Sequence, residues 1–289
     1  MTIYRLGRAL AFPPVQHAEP SGLLAAGGDL SPQRLLLAYA SGIFPWYSTG
    51  QPILWHAPDP RFVLELDGLQ IGRSLRKTLR RRPYSVRLDT AFEAVVAGCA
   101  TTPRPGQDGT WITTAMQRAY ADLHRLGFAH SVEAFDGDRL VGGLYGVSLG
   151  RAFFGESMFS VADDASKVAV CHLVAELRAL GFHFVDCQVQ TPLFASLGAK
   201  EVPRAVFGER LARALLFPTR QGRWSWTSGD GDAPDPLGAR TSAQATLPPE
   251  SLAAATMAAA TFAAATLSGD RPLPTLTDGD PTAGLEARS

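Results

Sequence analysis

The 289-residue chain lacks several features that would each point to a class of protein. No apolar run approaches the ~20 residues that a membrane helix needs, which argues against an integral membrane protein. The N-terminus, MTIYRLGRALAFPP, has neither a long apolar segment nor a small-residue cleavage signal, so export is not expected. Three cysteines, Cys99, Cys171 and Cys187, lie far apart and are odd in number. That pattern gives no disulfide framework, and without a Cys-x-x-Cys pair or clustered histidines there is no metal-ligand spacing. The 27 basic and 27 acidic side chains cancel, a balance that by itself argues against a nucleic-acid partner. A cytoplasmic, monomeric protein without metal or cofactor is the simple expectation.

The averages hide local structure. Arg73, Arg76, Lys77, Arg80, Arg81 and Arg82 fall within ten residues that contain no Asp or Glu. Ile71, Leu75 and Leu79 recur every four residues through the same stretch, which predicts an amphipathic helix with a cationic outer side. Most charge runs are solvated faces. An unbalanced one of this density favours contact with phosphates, because local charge decides binding.

A hydrophobic content of 46% is enough for one or two ordinary cores. The first sixty residues are rich in Pro, Gly and aromatics around one short helix, with Ser31 as N-cap, Pro32 at the first helical position and Gly42 at the stop. The apolar loop Ile43–Tyr47 follows and should pack on a partner surface. It reads equally as a plug between domains or, at Trp46, as a face on which a nucleobase stacks. The turn Pro58–Arg61 marks the expected boundary between a small N-terminal domain, residues 1–61, and a second domain, residues 62–227. Within the second, Asp89 is expected to cap a helix through Ala100. A Pro/Gly-rich loop at Thr101–Asp108 and a helix capped by Thr113 or Thr114 come next. Strands Ala129–Phe135, Leu140–Val147 and Ala152–Glu156 should form a meander, followed by a helix Lys167–Leu180 and a strand Phe182–Val189 that must find a sheet edge or a gap. The class is α+β with a mixed, mostly antiparallel sheet. Beyond Ser228 the composition turns to Asp, Gly, Pro, Ala and Thr, and residues 228–289 are expected to be a disordered tail.

The stretch Leu140–Gln190 places polar groups where a core resists them. Glu156 ends a strand after Phe153, Phe154 and Gly155, while Asp186 and Gln188 share a strand face with Phe182 and Phe184. A carboxylate in such company must be paired, hydrogen-bonded or functional. The element order also matches the Gcn5-related acetyltransferase fold, whose coenzyme A users open the long helix with a glycine-rich pyrophosphate loop. Asp163-Asp164-Ala165-Ser166 stands there instead, and two carboxylates repel a pyrophosphate. An acyl donor other than coenzyme A is expected.

The runs GGDLSPQRLLLAYASGIFPWY, PILWHAPDPR, GTWIT, AYADLHRLGFAHSVEAF, LVGGLYG, FFGESMFS, ASK, DCQ, SLGA and VPR occur in this order between residues 10 and 217. Together they resemble the leucyl/phenylalanyl-tRNA–protein transferase family. The resemblance implies an acetyltransferase-like second domain and a bacterial enzyme that needs no cofactor. Its partners would be leucyl-tRNA and phenylalanyl-tRNA, and proteins beginning with Arg or Lys; Leu or Phe, and less well Met, would be moved onto the N-terminus to mark it for degradation. The matching catalytic positions are Asp186, Gln188 and Glu156, with Asp186 orienting Gln188 and stabilising the ammonium, and Glu156 and Asp186 forming an acidic pocket. The donor side-chain slot maps onto Leu144, Met158, Leu173 and Leu177, which core packing explains equally well. Trp46, Trp111, Tyr39 and Tyr120 match aromatics that receive the terminal adenosine, and the Arg73–Arg82 helix would hold the acceptor stem.

His56 departs from the pattern, standing where the family commonly has Trp. The Thr101–Asp108 loop is longer than usual, and the tail has no counterpart. Other readings are a coenzyme A acyltransferase, a cell-wall aminoacyltransferase, or a non-catalytic tRNA-binding protein on the same frame.

Overall fold

Two sheets organise the chain, and the sequence turns from one to the other at Arg61. The computed structural model describes residues 3–102, 111–228 and 233–238. Most of the Thr101–Asp108 loop and the AAAT repeats lie outside them.

The N-terminal unit holds strands β1 (Tyr4–Leu6), β2 (Leu23–Gly27), β3 (Phe44–Pro45) and β4 (Leu54–His56), in the order β1-β2-β4-β3. Helix α1 (Pro32–Ala40) begins as expected, with the Ser31 side chain accepting from the Arg34 N–H. It stops before Gly42, whose φ of +73° is costly for a residue with a Cβ. A Cβ there would also meet the Phe207 ring at 3.1 Å. The supposed loop at Ile43–Tyr47 is in part strand β3, and Ile43 and Phe44 are buried.

The second unit runs β5 (Arg61–Glu65), α2 (Arg73–Arg81), β6 (Ser85–Leu88), α3 (Phe92–Thr101), α4 (Thr114–Arg125), β7 (Ala129–Asp136), β8 (Arg139–Leu149), β9 (Ala152–Ser160), α5 (Ala165–Ala179), β10 (Phe184–Gln188), α6 (Pro192–Ser196), β11 (Lys200–Val202) and α7 (Arg204–Ala214). Its sheet has the order β11-β5-β10-β9-β8-β7-β6. Every pair is antiparallel except β9 with β10. The strand that had to find a place, β10, enters between β9 and β5 after the α5 crossover.

The apolar stripe of α2 packs as its spacing predicts, with Leu75 and Leu79 buried and all six basic residues exposed. Thr113 caps α4 by accepting from the Met116 N–H. Asp89, by contrast, caps nothing. It adopts a left-handed backbone (φ +55°), and its carboxylate accepts from the Ser131 and Trp224 backbone N–H groups and bonds His130 Nδ1 at 2.8 Å. Helix α3 starts later, at Phe92, without a side-chain cap. Long-range demand for the carboxylate outweighs a local cap that contributes about 1 kcal/mol.

The cores cross the boundary suggested by the turn. Leu24, Tyr39 and Trp55 of the first unit share one buried cluster with Val95, Tyr120, Phe154 and Phe207 of the second. A second cluster lies under α2 and α5 and takes in Trp224 and Trp226. The expected tail is partly anchored there. Within residues 233–238, Ala233 and Leu237 pack against that cluster, and the Pro234 carbonyl bonds His172 Nδ1 at 2.9 Å.

Candidate active site

The site forms where the parallel strand pair of the seven-stranded sheet comes apart. Pairing of β9 with β10 runs through Phe184–Ala152, Val185–Phe153 and Asp186–Phe154, and stops. Beyond that point each strand carries an irregularity. On β9, Glu156 is the unpaired extra residue between the Tyr145–Ser157 and Gly146–Gly155 pairs with β8. On β10, the register against β5 shifts between Asp186 and Gln188, and Gln188 takes a φ of +63°. Bulges re-aim side chains, and these two bring Glu156 and Gln188 together: Gln188 Nε2 donates to Glu156 Oε1 at 2.6 Å.

A cavity of about 290 Å³ opens in the gap. Leu144 and Met158, cross-strand partners on β8 and β9, line it with Leu173 of α5. Leu177 does not; it is fully buried in the second cluster. One turn earlier on α5, Val170, Leu173 and Val174 form the wall, and Phe153 and Val185 close it from the sheet. An i, i+4 spacing puts Leu173 and Leu177 on one helix face, but that face runs from the cavity into the core.

Trp46 and Trp111 both border the cavity, and Trp46 is 37% exposed. Tyr39 and Tyr120 are each 0% exposed, so neither offers a ring face to a ligand. They form a relay instead. Tyr120 donates to Glu156 Oε2 at 2.5 Å, and Tyr39 lies 2.5 Å from the Tyr120 hydroxyl. A phenol has one proton; since that of Tyr120 goes to Glu156, Tyr39 donates to Tyr120. Burial, with the Glu156 carboxylate nearby, holds both phenols well above their ordinary pKa.

Burial also pushes the Glu156 carboxyl up to about 7, against hydrogen bonds that stabilise its charged form. Asp186 is placed differently from the expected acidic pocket. It is 0% exposed, and Arg61 Nε and Nη2 reach its two oxygens at 2.8 and 2.7 Å. Its charge is therefore compensated behind the strand, and Glu156 is the carboxylate that borders the cavity. Asp186 Oδ1 also accepts from the Gln188 backbone N–H at 2.9 Å. Arg61 carried no local signal of this beyond its charge at the start of an apolar strand.

His56 packs between Phe44 and Trp46, and burial lowers its pKa to about 4, so it is neutral at pH 7. At the start of α5, Asp164 makes no side-chain cap. Its carboxylate accepts from Thr78 Oγ1 at 3.0 Å and pairs with Lys167 at 2.9 Å. Among the described residues no group of three or more His, Cys, Asp or Glu is placed to hold a metal, and no helix is long and apolar enough to cross a membrane. Helix α2 packs beside α5, and neither its five basic residues nor Arg82 just after it is in an ion pair among the described residues.

Comparison with known proteins bears on what this site serves. The model of the leucyl/phenylalanyl-tRNA protein transferase N-terminal domain matches residues 28–59, and that of leucyl/phenylalanyl-tRNA protein transferase matches residues 63–212. A leucyl/phenylalanyl-tRNA–protein transferase of Anaeromyxobacter dehalogenans is 61% identical over 224 residues, 78% of this chain and 96% of that protein. One of Myxococcus xanthus is 58% identical over 225 residues, 78% of this chain and 94% of the relative. A solved structure of a functionally unknown conserved protein from Staphylococcus epidermidis covers 63% of this chain and 68% of its own, with a TM-score of 0.37 and 10% identity. The chain thus belongs to the leucyl/phenylalanyl-tRNA–protein transferase family and is an aminoacyltransferase that moves an amino acid from tRNA to protein.

Proposed function

We propose that the enzyme transfers Leu or Phe, and less well Met, from charged tRNA to the α-amine of proteins beginning with Arg or Lys. The product would carry a destabilising N-terminus. One observation carries this reading: an apolar cavity walled by Leu144, Met158 and Leu173 ends at a single carboxylate, Glu156, hydrogen-bonded to Gln188. An apolar donor side chain fits the first part, and a cationic acceptor fits the second. The seven-stranded sheet, with its parallel pair parting at the cavity, supports an acetyltransferase-like frame. The carboxylates opening α5 support a donor other than coenzyme A.

The donor ester is already activated, so amide formation needs no ATP. The acceptor α-amine has a pKa near 8, so only about one molecule in ten is neutral at pH 7. With the Gln188 NH2 given to Glu156, its carbonyl oxygen is the end left to accept from the attacking amine. Nitrogen bonds to the ester carbonyl carbon, the bond to the ribose oxygen breaks, and the ammonium proton passes to Glu156 or to the departing oxygen. A carboxyl titrating near 7 is matched to that task. The Gln188 amide does not titrate at this pH and so is not the base, and Asp186 acts from behind by orienting it.

The deciding experiment mixes the protein with labelled leucyl-tRNA and a peptide beginning with Arg. Transfer without ATP, abolished by ribonuclease pretreatment, is expected; tRNA binding without transfer would leave a binding module. Competing leucyl- and phenylalanyl-tRNA tests the slot. Leu173→Phe narrows it and should shift the ratio towards Leu, within the factor of about 10–200 that a methylene-sized change supports.

Trp46 and Trp111 are the rings placed to stack on the terminal adenine. Trp46→Ala should raise the donor KM by about 5- to 150-fold, as stacking contributes ~1–3 kcal/mol per base, with kcat little changed. On α2, the combined change Arg73→Gln, Arg76→Gln and Arg80→Gln should weaken tRNA binding and flatten its dependence on log salt by about 2–3. An unchanged slope would place the acceptor stem elsewhere.

A further inference from the structure

Arg61 is 1% exposed and uses three of its nitrogens. Two grip the Asp186 carboxylate side by side, and Nη1 donates to the Gly42 carbonyl at 3.0 Å. The guanidinium carbon lies 4.8 Å from the centre of the Phe44 ring, which borders the cavity, and 4.8 Å from that of Phe207 on α7. A rigid fork of this kind fixes direction as well as charge. Stability alone does not account for it, because well-packed apolar residues often replace a buried ion pair without loss.

Direction is what the neighbouring residue needs. Gln188 holds a left-handed backbone that costs a non-glycine residue roughly 1–2 kcal/mol, and the Asp186 Oδ1 bond to its N–H secures that turn. The turn delivers the amide to Glu156. From the other side Glu156 is held by Tyr120, and Tyr120 by Tyr39. Tyr39 and Gly42 lie three residues apart at the end of α1, so one short segment of the N-terminal unit holds both ends of the polar network.

We propose that Arg61 is a positioning residue for the transfer step. It fixes the Gln188 amide through Asp186, and its grip on the Gly42 carbonyl makes that geometry depend on the docked N-terminal segment. This rests on the reading above, in which Gln188 and Glu156 receive the attacking amine.

The test is a double-mutant cycle on transfer, with kcat taken at saturating leucyl-tRNA and the donor KM from a leucyl-tRNA titration. Arg61→Lys keeps the charge and loses the fork. It should lower kcat by 10- to 100-fold and leave the donor KM within twofold. In a Gln188→Ala background the same substitution should lower kcat no further, because the group it positions is gone. Losses that multiply in the double variant, or an Arg61→Lys protein with wild-type kcat, would overturn the proposal. A Gln188→Ala protein with wild-type kcat would instead remove the reading of the site itself, and this inference with it. Should Arg61→Lys not fold, the neutral pair Arg61→Met with Asp186→Asn leaves no lone buried charge, and the same cycle applies with the same two outcomes.

Discussion

Replacing Asp186 by Ala is expected to cost about 3–5 kcal/mol of folding stability, because it strands the Arg61 guanidinium in the core. Arg61 is 1% exposed, and its Nε and Nη2 lose both acceptors in the variant while Nη1 keeps only the Gly42 carbonyl. With a urea m-value of about 1–3 kcal/mol/M, the unfolding midpoint should fall by more than about 1 M. Removing both charges, as in Arg61→Met with Asp186→Leu, should recover most of that stability. Transfer should not return with it, since nothing then fixes the Gln188 N–H. An Asp186→Ala protein that unfolds at the wild-type midpoint would show that the pair is open to water in solution. One that folds and transfers at full rate would also remove Asp186 from the reaction.

Glu156→Gln should separate activity from stability in opposite directions. General acid–base catalysis typically contributes 10²- to 10⁴-fold, so kcat/KM should drop by that order. The parent's activity should rise with pH through about 7, the value to which burial pushes the Glu156 carboxyl. The variant should keep only the later rise, which belongs to the acceptor amine. Stability follows from the same shift with a definite sign. A carboxyl at about 7 in the fold, against 4.5 as its ordinary value, keeps a proton that the unfolded chain has already released. Its contribution is therefore full below pH 4.5 and is lost as pH rises through 7, amounting to about 3 kcal/mol. Burial also raises Glu133 and Glu176, so the informative quantity is the difference between parent and variant at each pH. Near pH 4 the two should be alike, and at pH 8 the variant should be the more stable. Equal stability at both would mean that Glu156 is solvated and that its basicity has another source.

The cavity also bears on donor choice. Its α5 wall is Val170, Leu173 and Val174, so the slot is closed by branched side chains one turn short of Leu177. A substitution at Leu177 should act through core packing, and one at Leu173 through the donor.

Local features were legible in the sequence wherever neighbours along the chain set the outcome. The caps at Ser31 and Thr113, the amphipathic α2, the stop at Gly42 and the meander β7–β9 all follow from side-chain periodicity and backbone preference within a few residues. The run of motifs sufficed for the family, and it pointed to Glu156, Gln188 and Asp186 as a group. What each member of that group does depends on contacts across the fold. Glu156 and Gln188 meet because two strands, 32 positions apart at these residues, each carry a bulge where their pairing ends. Register irregularities are set by a strand's partners, so no spacing in one strand reveals them. Asp186 was expected to face the acceptor, and Arg61, 125 positions away, takes its charge instead. Tyr39 and Tyr120 match family aromatics near the donor site, yet their hydroxyls meet over a separation of 81 residues and the rings are sealed by both units. Residue type and short-range pattern determined which groups the protein brings to its site; only tertiary packing decided which of them reach the cavity, because burial and charge compensation are properties of the assembled core.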